Sequence, residues 1–171
     1  MTTVKANPYT GFQLGALVAL RLLIGWHFFY EGLAKLVNPY WTSAEYIDQA
    51  SWLFKGMFES IAASPGMVTA VDALNVWGLM AIGLGLIVGL LTRTATVAGI
   101  VVLGLYYIVA PPFVGLSYAM PTEGSYLVVN KVLIEAVALL VLFAFPTGRQ
   151  IGIDAVVFRK RPALGQPQPQ A

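Results

Sequence analysis

The chain has 171 residues, of which 58% are hydrophobic and only 11% are charged, whereas an average soluble domain carries about 25% charged residues. This composition argues against a soluble domain and indicates a membrane protein. The formal charge of +2 is small and cysteine is absent, so we expect neither nucleic-acid binding nor disulfides, thiolate metal sites or iron–sulfur clusters from this chain alone.

Four apolar stretches are long enough, at about 1.5 Å per residue, to cross a hydrocarbon core of about 30 Å. They are span 1 (Phe12–Glu31), span 2 (Leu74–Leu91), span 3 (Ala95–Phe113) and span 4 (Leu127–Phe145). The sequence therefore predicts an all-α membrane protein with a four-transmembrane-helix bundle over residues 12–158. Residues 1–11 form a short N-terminus, and residues 159–171 form a basic and then disordered Pro/Gln-rich tail.

The positions of the basic residues predict the orientation of the bundle. Lys5 precedes span 1, Arg93 lies in the short link between spans 2 and 3, and the basic tail follows span 4. Because lysine and arginine are enriched in cytoplasmic loops, these three regions are expected to lie inside. The prediction is a multi-pass protein of the inner (plasma) membrane with both termini in the cytoplasm.

The first outer connection, roughly Asn38–Ala73, is too long to be a simple turn. Within it, Trp52–Ile61 places apolar residues at helical spacing opposite charged ones, which predicts an amphipathic helix in the outer membrane interface or across the bundle mouth. Ser64 and Pro65 have the residue types of an N-cap and a first helical position. They predict the start of the helix that contains span 2.

Arg21 is a charge inside an apolar stretch, where an unpaired guanidinium costs several kcal/mol. It lies roughly 15 Å below the predicted outer end of span 1, and Glu135 lies roughly 12 Å below that of span 4. These similar depths predict a buried ion pair. The pair has two open interpretations, a structural lock between two helices or part of a functional pocket.

Further polar residues lie at or above that depth. His27 and Glu31 are four residues apart on span 1, as are Lys131 and Glu135 on span 4, so each pair shares a helix face. For His27, a supporting or interfacial role, proton transfer and haem ligation are all open, but a lone histidine cannot supply two axial imidazoles. No metal or haem site is therefore predicted.

The candidate residues fall into two groups. The predicted catalytic residues are Arg21, His27, Glu31 and Glu135. Gly25 and Gly32 would let a neighbouring helix or a flat ligand come close. The predicted cofactor-binding residues are Gly25, Phe28, Gly32, Lys35, Asn130, Lys131, Tyr106 and Tyr107.

The span 1 run from Leu20 and Arg21 through Gly25, Phe29, Gly32, Lys35 and Leu36 resembles the signature of the DoxX family of small four-helix membrane proteins. The runs Trp41–Ser43, Leu74–Gly78, Gly89–Arg93 and Asn130–Leu139 are similar to its DoxD-type branch. Members of that branch are described as the membrane subunit of thiosulfate:quinone oxidoreductase. The resemblance covers roughly Gly11–Asp154, and Arg21, Gly25, Gly32 and Lys35 are the motif positions it implies.

The resemblance and the polar residues together favour a membrane subunit of a quinone-linked oxidoreductase, with thiosulfate as a candidate substrate and quinone as the expected cofactor. Because these residues supply no redox centre, a second protein subunit is an expected partner, besides the lipid bilayer. The alternative is a non-catalytic membrane anchor or assembly subunit of a larger complex. A lipid or solute carrier is less favoured, since no inverted repeat is evident.

Overall fold

The computed structural model describes residues 9–50, 54–113 and 127–158. Within these ranges the regular elements are α-helices. They are α1 (Gly11–Val37), α2 (Ala44–Asp48), α3 (Lys55–Ala62), α4 (Pro65–Val88), α5 (Thr92–Val109), α6 (Lys131–Ala144) and α7 (Asp154–Val157).

Among the described residues, three helices, α1, α4 and α5, are long and apolar enough to cross a membrane. They correspond to predicted spans 1 to 3 and bring the chain into contact with lipid. α6 has 14 residues, which extend about 21 Å, less than a hydrocarbon core of about 30 Å. The fourth span therefore stays a prediction.

The ends of the helices follow from local sequence. At the start of α1, Thr10 and Gln13 form a capping box, in which each side chain accepts a hydrogen bond from the other residue's backbone N–H. α4 begins at Pro65 with Ser64 as its N-cap, as predicted, and is therefore longer than span 2. Asn130 caps α6 by accepting a 2.9 Å bond from the Leu133 amide.

The core lies where α1, α4, α5 and α6 meet. Its most deeply buried members include Phe28 from α1, Leu86 from α4 and Leu139 from α6, each at most 2% exposed. The closest packing is between α1 and α4, where Gly83 meets the backbone of Phe29. A Cβ on Gly83 would lie 2.4 Å from the Phe29 amide nitrogen, so only glycine allows this approach.

The connection between α1 and α4 packs back onto the bundle. Phe58 of α3 joins Ile47, Ala50 and Val109 in a second apolar cluster. Asp72 on α4 also accepts hydrogen bonds from the Ser43 amide at 2.7 Å and the Thr42 hydroxyl at 3.1 Å. α3 corresponds to the later part of the predicted amphipathic helix, because it begins at Lys55 and ends at Ala62. Trp52 lies outside the described residues, and placement in the membrane interface stays a prediction.

Candidate functional site

A histidine–carboxylate pair joins α1 to α6. Nδ1 of His27 lies 2.7 Å from Oε1 of Glu135, and the side chains are 44% and 14% exposed respectively. With Nδ1 protonated the imidazole donates to the carboxylate, so the pair can hold a proton between two helices. Histidine, rather than arginine, is thus the partner of Glu135.

The charged groups continue from this pair along α1. Nε2 of His27 lies 3.9 Å from Oε1 of Glu31, and Oε2 of Glu31 lies 2.7 Å from Nζ of Lys35. Nζ of Lys35 also lies 5.5 Å from the centre of the Trp41 ring, a cation–π contact. Glu135, His27, Glu31 and Lys35 therefore form a chain of titratable groups that leads to the end of α1.

A cavity of about 110 Å³ opens beside these groups. We call its lining residues the histidine cluster. They are His27, Phe28, Glu31, Leu79, Leu103, Tyr106, Lys131, Val132 and Glu135. Pockets that enclose a whole small molecule measure roughly 300–1,000 Å³. This cavity therefore has room for water molecules or for one polar edge of a larger ligand.

Tyr106 is fixed on the α5 side of the cavity. Its hydroxyl donates to Oδ1 of Asn75 on α4, and its backbone carbonyl accepts a 2.9 Å bond from the Tyr46 hydroxyl. The rings of Tyr46 and Tyr106 meet edge to face with centroids 5.8 Å apart. α2 thus contacts a cavity-lining residue directly.

Arg21 does not pair with Glu135, and that prediction is wrong. Its Nη1 donates a 3.0 Å hydrogen bond to the Thr147 hydroxyl, and the residue is only 2% exposed. The depth comparison failed because α1 continues to Val37 and α6 begins at Lys131. Counted from these ends, Arg21 is about 24 Å deep and Glu135 only about 6 Å.

The surroundings of Arg21 form a second polar group, here named the arginine cluster, of Arg21, Thr92, Thr147 and Asp154. Oδ1 of Asp154 accepts from the Leu91 amide at 2.8 Å. Oδ2 accepts from the Thr92 amide at 3.0 Å and from the Thr92 hydroxyl at 2.8 Å. Asp154 therefore caps the N-terminus of α5 from a distant part of the chain, and its negative charge also attracts Arg21.

These contacts determine the ionisation of Asp154. Burial alone would raise the pKa of the carboxyl group, but the hydrogen bonds from Thr92 and Leu91, with the nearby charge of Arg149, outweigh it. The pKa therefore lies below its ordinary value of 3.8. Asp154 is therefore ionised at neutral pH, and its role is structural because it caps the start of α5.

The model of the DoxX family matches residues 16–112, more than half of the chain. The chain belongs to the DoxX family. No curated protein and no solved structure matches it. The DoxX match includes His27, Glu31 and Tyr106 but ends before α6, which carries Glu135. The family assignment is thus independent of the residue that completes the histidine pair.

Of the other residues predicted to bind a cofactor in this DoxX protein, some line the cavity and others have packing or capping roles. Gly25 and Gly32 face α4: a Cβ on Gly25 would lie 3.0 Å from the Gly83 carbonyl oxygen, and one on Gly32 would lie 2.7 Å from Cγ of Met80. They admit a neighbouring helix. Phe28 and Lys131 line the cavity, whereas Asn130 caps α6 and Tyr107 donates a 2.7 Å bond to the Val128 carbonyl.

The polar residues missed by the sequence analysis include Tyr46, Asn75, Thr147 and Asp154. Asn75 is a polar residue inside an apolar helix, a signal that could have been used. Thr147 and Asp154 follow the last apolar stretch, where nothing local distinguishes them from the polar flank of a membrane helix. Only the fold brings them to Arg21 and to the start of α5.

Proposed function

We propose that this DoxX-family chain is the membrane subunit of a quinone-linked oxidoreductase of the DoxD type, in the inner membrane. The observation that carries the proposal is the cavity of the histidine cluster, where His27 and Glu135 meet at 2.7 Å beside Tyr106. Ionisable residues between apolar helices are costly and commonly mark a proton path or a substrate site. Arg21, fixed in the arginine cluster, is not part of this site.

The size of the cavity restricts how a quinone would bind. At about 110 Å³ it admits one carbonyl edge of a headgroup, while the ring and the isoprenoid tail would lie between helices and lipid. His27 and Lys131 carry groups that can donate a hydrogen bond to a carbonyl oxygen, whereas the Tyr106 hydroxyl already donates its proton to Asn75. Phe28, Leu79 and Leu103 supply the apolar wall that such a ring requires.

The chemistry of thiosulfate makes a proton supply necessary. Joining two thiosulfate ions through a new sulfur–sulfur bond releases two electrons and no proton, whereas reduction of a quinone to a quinol takes up two electrons and two protons. The chain from Lys35 through Glu31 to His27 and Glu135 would deliver protons from the membrane surface. A partner subunit with a redox centre would take the electrons from thiosulfate and pass them to the quinone.

The orientation of the bundle is part of the proposal. Arg93 and Arg149 line one cavity at the end of the bundle opposite Lys35, which brings the basic residues of two connections together. Basic connections favour the cytoplasmic side, so the histidine cluster would face the periplasmic half of the membrane.

Quinone bound to the purified full chain tests the proposal. Wild-type protein should retain quinone that solvent extraction and chromatography quantify. Glu135→Gln should retain about tenfold less, because a neutral amide replaces the carboxylate that orients the His27 imidazole toward the quinone, and hydrogen bonds to charged groups are about 1 kcal/mol stronger than neutral ones. Lys55→Gln, at an exposed cation outside the cavity, should retain the wild-type amount. Equal quinone in wild type and Glu135→Gln would contradict the proposal.

A non-catalytic membrane anchor is the second candidate. Trp26 and Tyr30 stack on the outer face of α1 with centroids 6.2 Å apart and are 58% and 56% exposed. Exposed rigid aromatic side chains are favoured at protein interfaces as well as at the membrane surface. A wild-type chain that copurifies with a stable partner and contains no quinone would favour this function.

A further inference from the structure

A second cavity, of about 170 Å³, lies at the bundle end that carries Arg93. It forms where the turn between α4 and α5 meets the chain that follows α6, and Leu91, Asp154 and Phe158 are among its lining residues. α4 and α5 are both long and apolar enough to cross the membrane, and they are separated by only the residues 89–91. The cavity therefore opens at a membrane surface, at the level of lipid headgroups.

Two arginines line this cavity. Arg93 and Arg149 are exposed, and within the described ranges neither lies within ion-pair distance of a carboxylate. The Arg93 guanidinium lies 5.7 Å from the centre of the Phe143 ring, which holds it over the end of α6. Arginine binds phosphate oxygens through a planar set of donors. The cavity thus offers two cations to an anion.

Asp154, which also lines the cavity and attracts Arg149, offsets only part of this positive charge. Its two oxygens are already bonded to the Leu91 amide and to the amide and hydroxyl of Thr92. Arg21 lies behind it and is attracted to the same carboxylate. Among the described residues, one carboxylate, Asp154, faces the three arginines Arg21, Arg93 and Arg149, so the neighbourhood of the cavity is positive.

The rim of the cavity is apolar and exposed. Leu91 and Phe158 are each 53% exposed, and the nearby Val156 and Val157 are 77% and 58% exposed. Such side chains are unfavourable in water but favourable at the boundary between headgroups and acyl chains. The rim distinguishes a lipid from a free ion, since only a lipid covers apolar surface beside its phosphate.

We propose that this cavity binds the headgroup of an anionic phospholipid, with Arg93 and Arg149 on its phosphate and the apolar rim along its acyl chains. Such a lipid would join the α4–α5 turn to the chain after α6. The site is separate from the histidine cluster and does not depend on quinone chemistry.

Lipid titration of the full chain in detergent tests the site, with thermal unfolding and native mass spectrometry as readouts. The probes are phosphatidylglycerol, phosphatidylcholine and inorganic phosphate. Wild-type protein should bind phosphatidylglycerol most tightly and be stabilised by it. Arg93→Gln and Arg149→Gln should each weaken that binding about fivefold, which corresponds to about 1 kcal/mol for a basic residue near an anionic membrane surface.

Matched variants make the test specific. Lys55→Gln removes an exposed cation elsewhere and should leave phosphatidylglycerol binding unchanged, and the double variant Arg93→Lys, Arg149→Lys should retain most of it. Equal weakening by Lys55→Gln would overturn the proposal, as would unchanged binding in the double glutamine variant. Stabilisation by inorganic phosphate equal to that by phosphatidylglycerol would show a site for free anions and would overturn it too.

Discussion

The arginine cluster and the histidine cluster both bury charge within one small helical protein, but they differ in what surrounds the charge. Arg21 and Asp154 are 2% and 7% exposed, and Asp154 is bonded to the backbone and the threonine at the start of α5. His27 and Glu31 are almost half exposed, and their charged partners are other titratable side chains. The comparison teaches that charges in a membrane bundle are better classified by their surroundings than by depth alone.

If the arginine cluster is structural, Asp154→Ala should have the largest effect on stability. The substitution leaves the Leu91 and Thr92 amides without their acceptor and removes the attraction of the carboxylate for Arg21. Because hydrogen bonds to a charged group contribute about 1.5–3 kcal/mol each, we expect a loss of about 3 kcal/mol. Thermal unfolding in detergent measures it, and a midpoint equal to wild type would show that the cap is dispensable.

Gly83→Ala tests the α1–α4 contact between the two clusters. The added Cβ would lie 2.4 Å from the Phe29 amide nitrogen and 2.6 Å from the Gly25 carbonyl oxygen. Overpacking of this kind costs about 1–3 kcal/mol. Gly78→Ala on the same helix, with nothing within 4 Å, is the control and should be neutral or slightly stabilising. Equal midpoints for the two variants would contradict the packing.

The pH dependence of stability should separate Asp154 from other acids. Its folded-state pKa lies below the ordinary 3.8, so its stabilisation is complete above that pH and is lost as pH falls through the folded pKa. The difference in unfolding free energy between wild type and Asp154→Asn should therefore shrink in acid below about pH 3.8. A difference that is constant from pH 6 to pH 3, measured by denaturant titration, would exclude this linkage.

Glu135→Gln should have the smallest effect on stability, although it is expected to have a large one on bound quinone. Glutamine retains the shape of the side chain and can still accept a hydrogen bond from His27, whose imidazole is 44% exposed. A loss of no more than about 1 kcal/mol is expected. A loss as large as that of Asp154→Ala would mean that the histidine cluster is structural as well, and would remove the contrast between the clusters.

Sequence alone predicted the membrane class, the family, three membrane helices and the start of α4 at Pro65. These follow from composition, apolar length and local capping, which need no knowledge of the fold. The sequence also placed His27, Glu31 and Glu135 among the candidate residues, because charges in apolar stretches are conspicuous.

The pairing of the charges could not be predicted. Arg21 was assigned to Glu135 by depth, but an error of six residues at the end of α1 shifts a depth by about 9 Å. The contact between Gly83 and Phe29 also depends on how two helices cross, which hydropathy does not encode. The role of Asp154 could not be predicted because its carboxylate binds the backbone amide of Thr92, which lies 62 residues earlier in the sequence.

The cap on α5 has a consequence for how the protein is made. Ribosomes extend a chain from its N-terminus, so α1, α4 and α5 exist before residue 154 has been synthesised. Until then the start of α5 lacks its carboxylate and the Arg21 guanidinium lacks the Thr147 hydroxyl. The contacts that join α1 and α5 to the chain after α6 can therefore form only after the first three membrane helices have been synthesised.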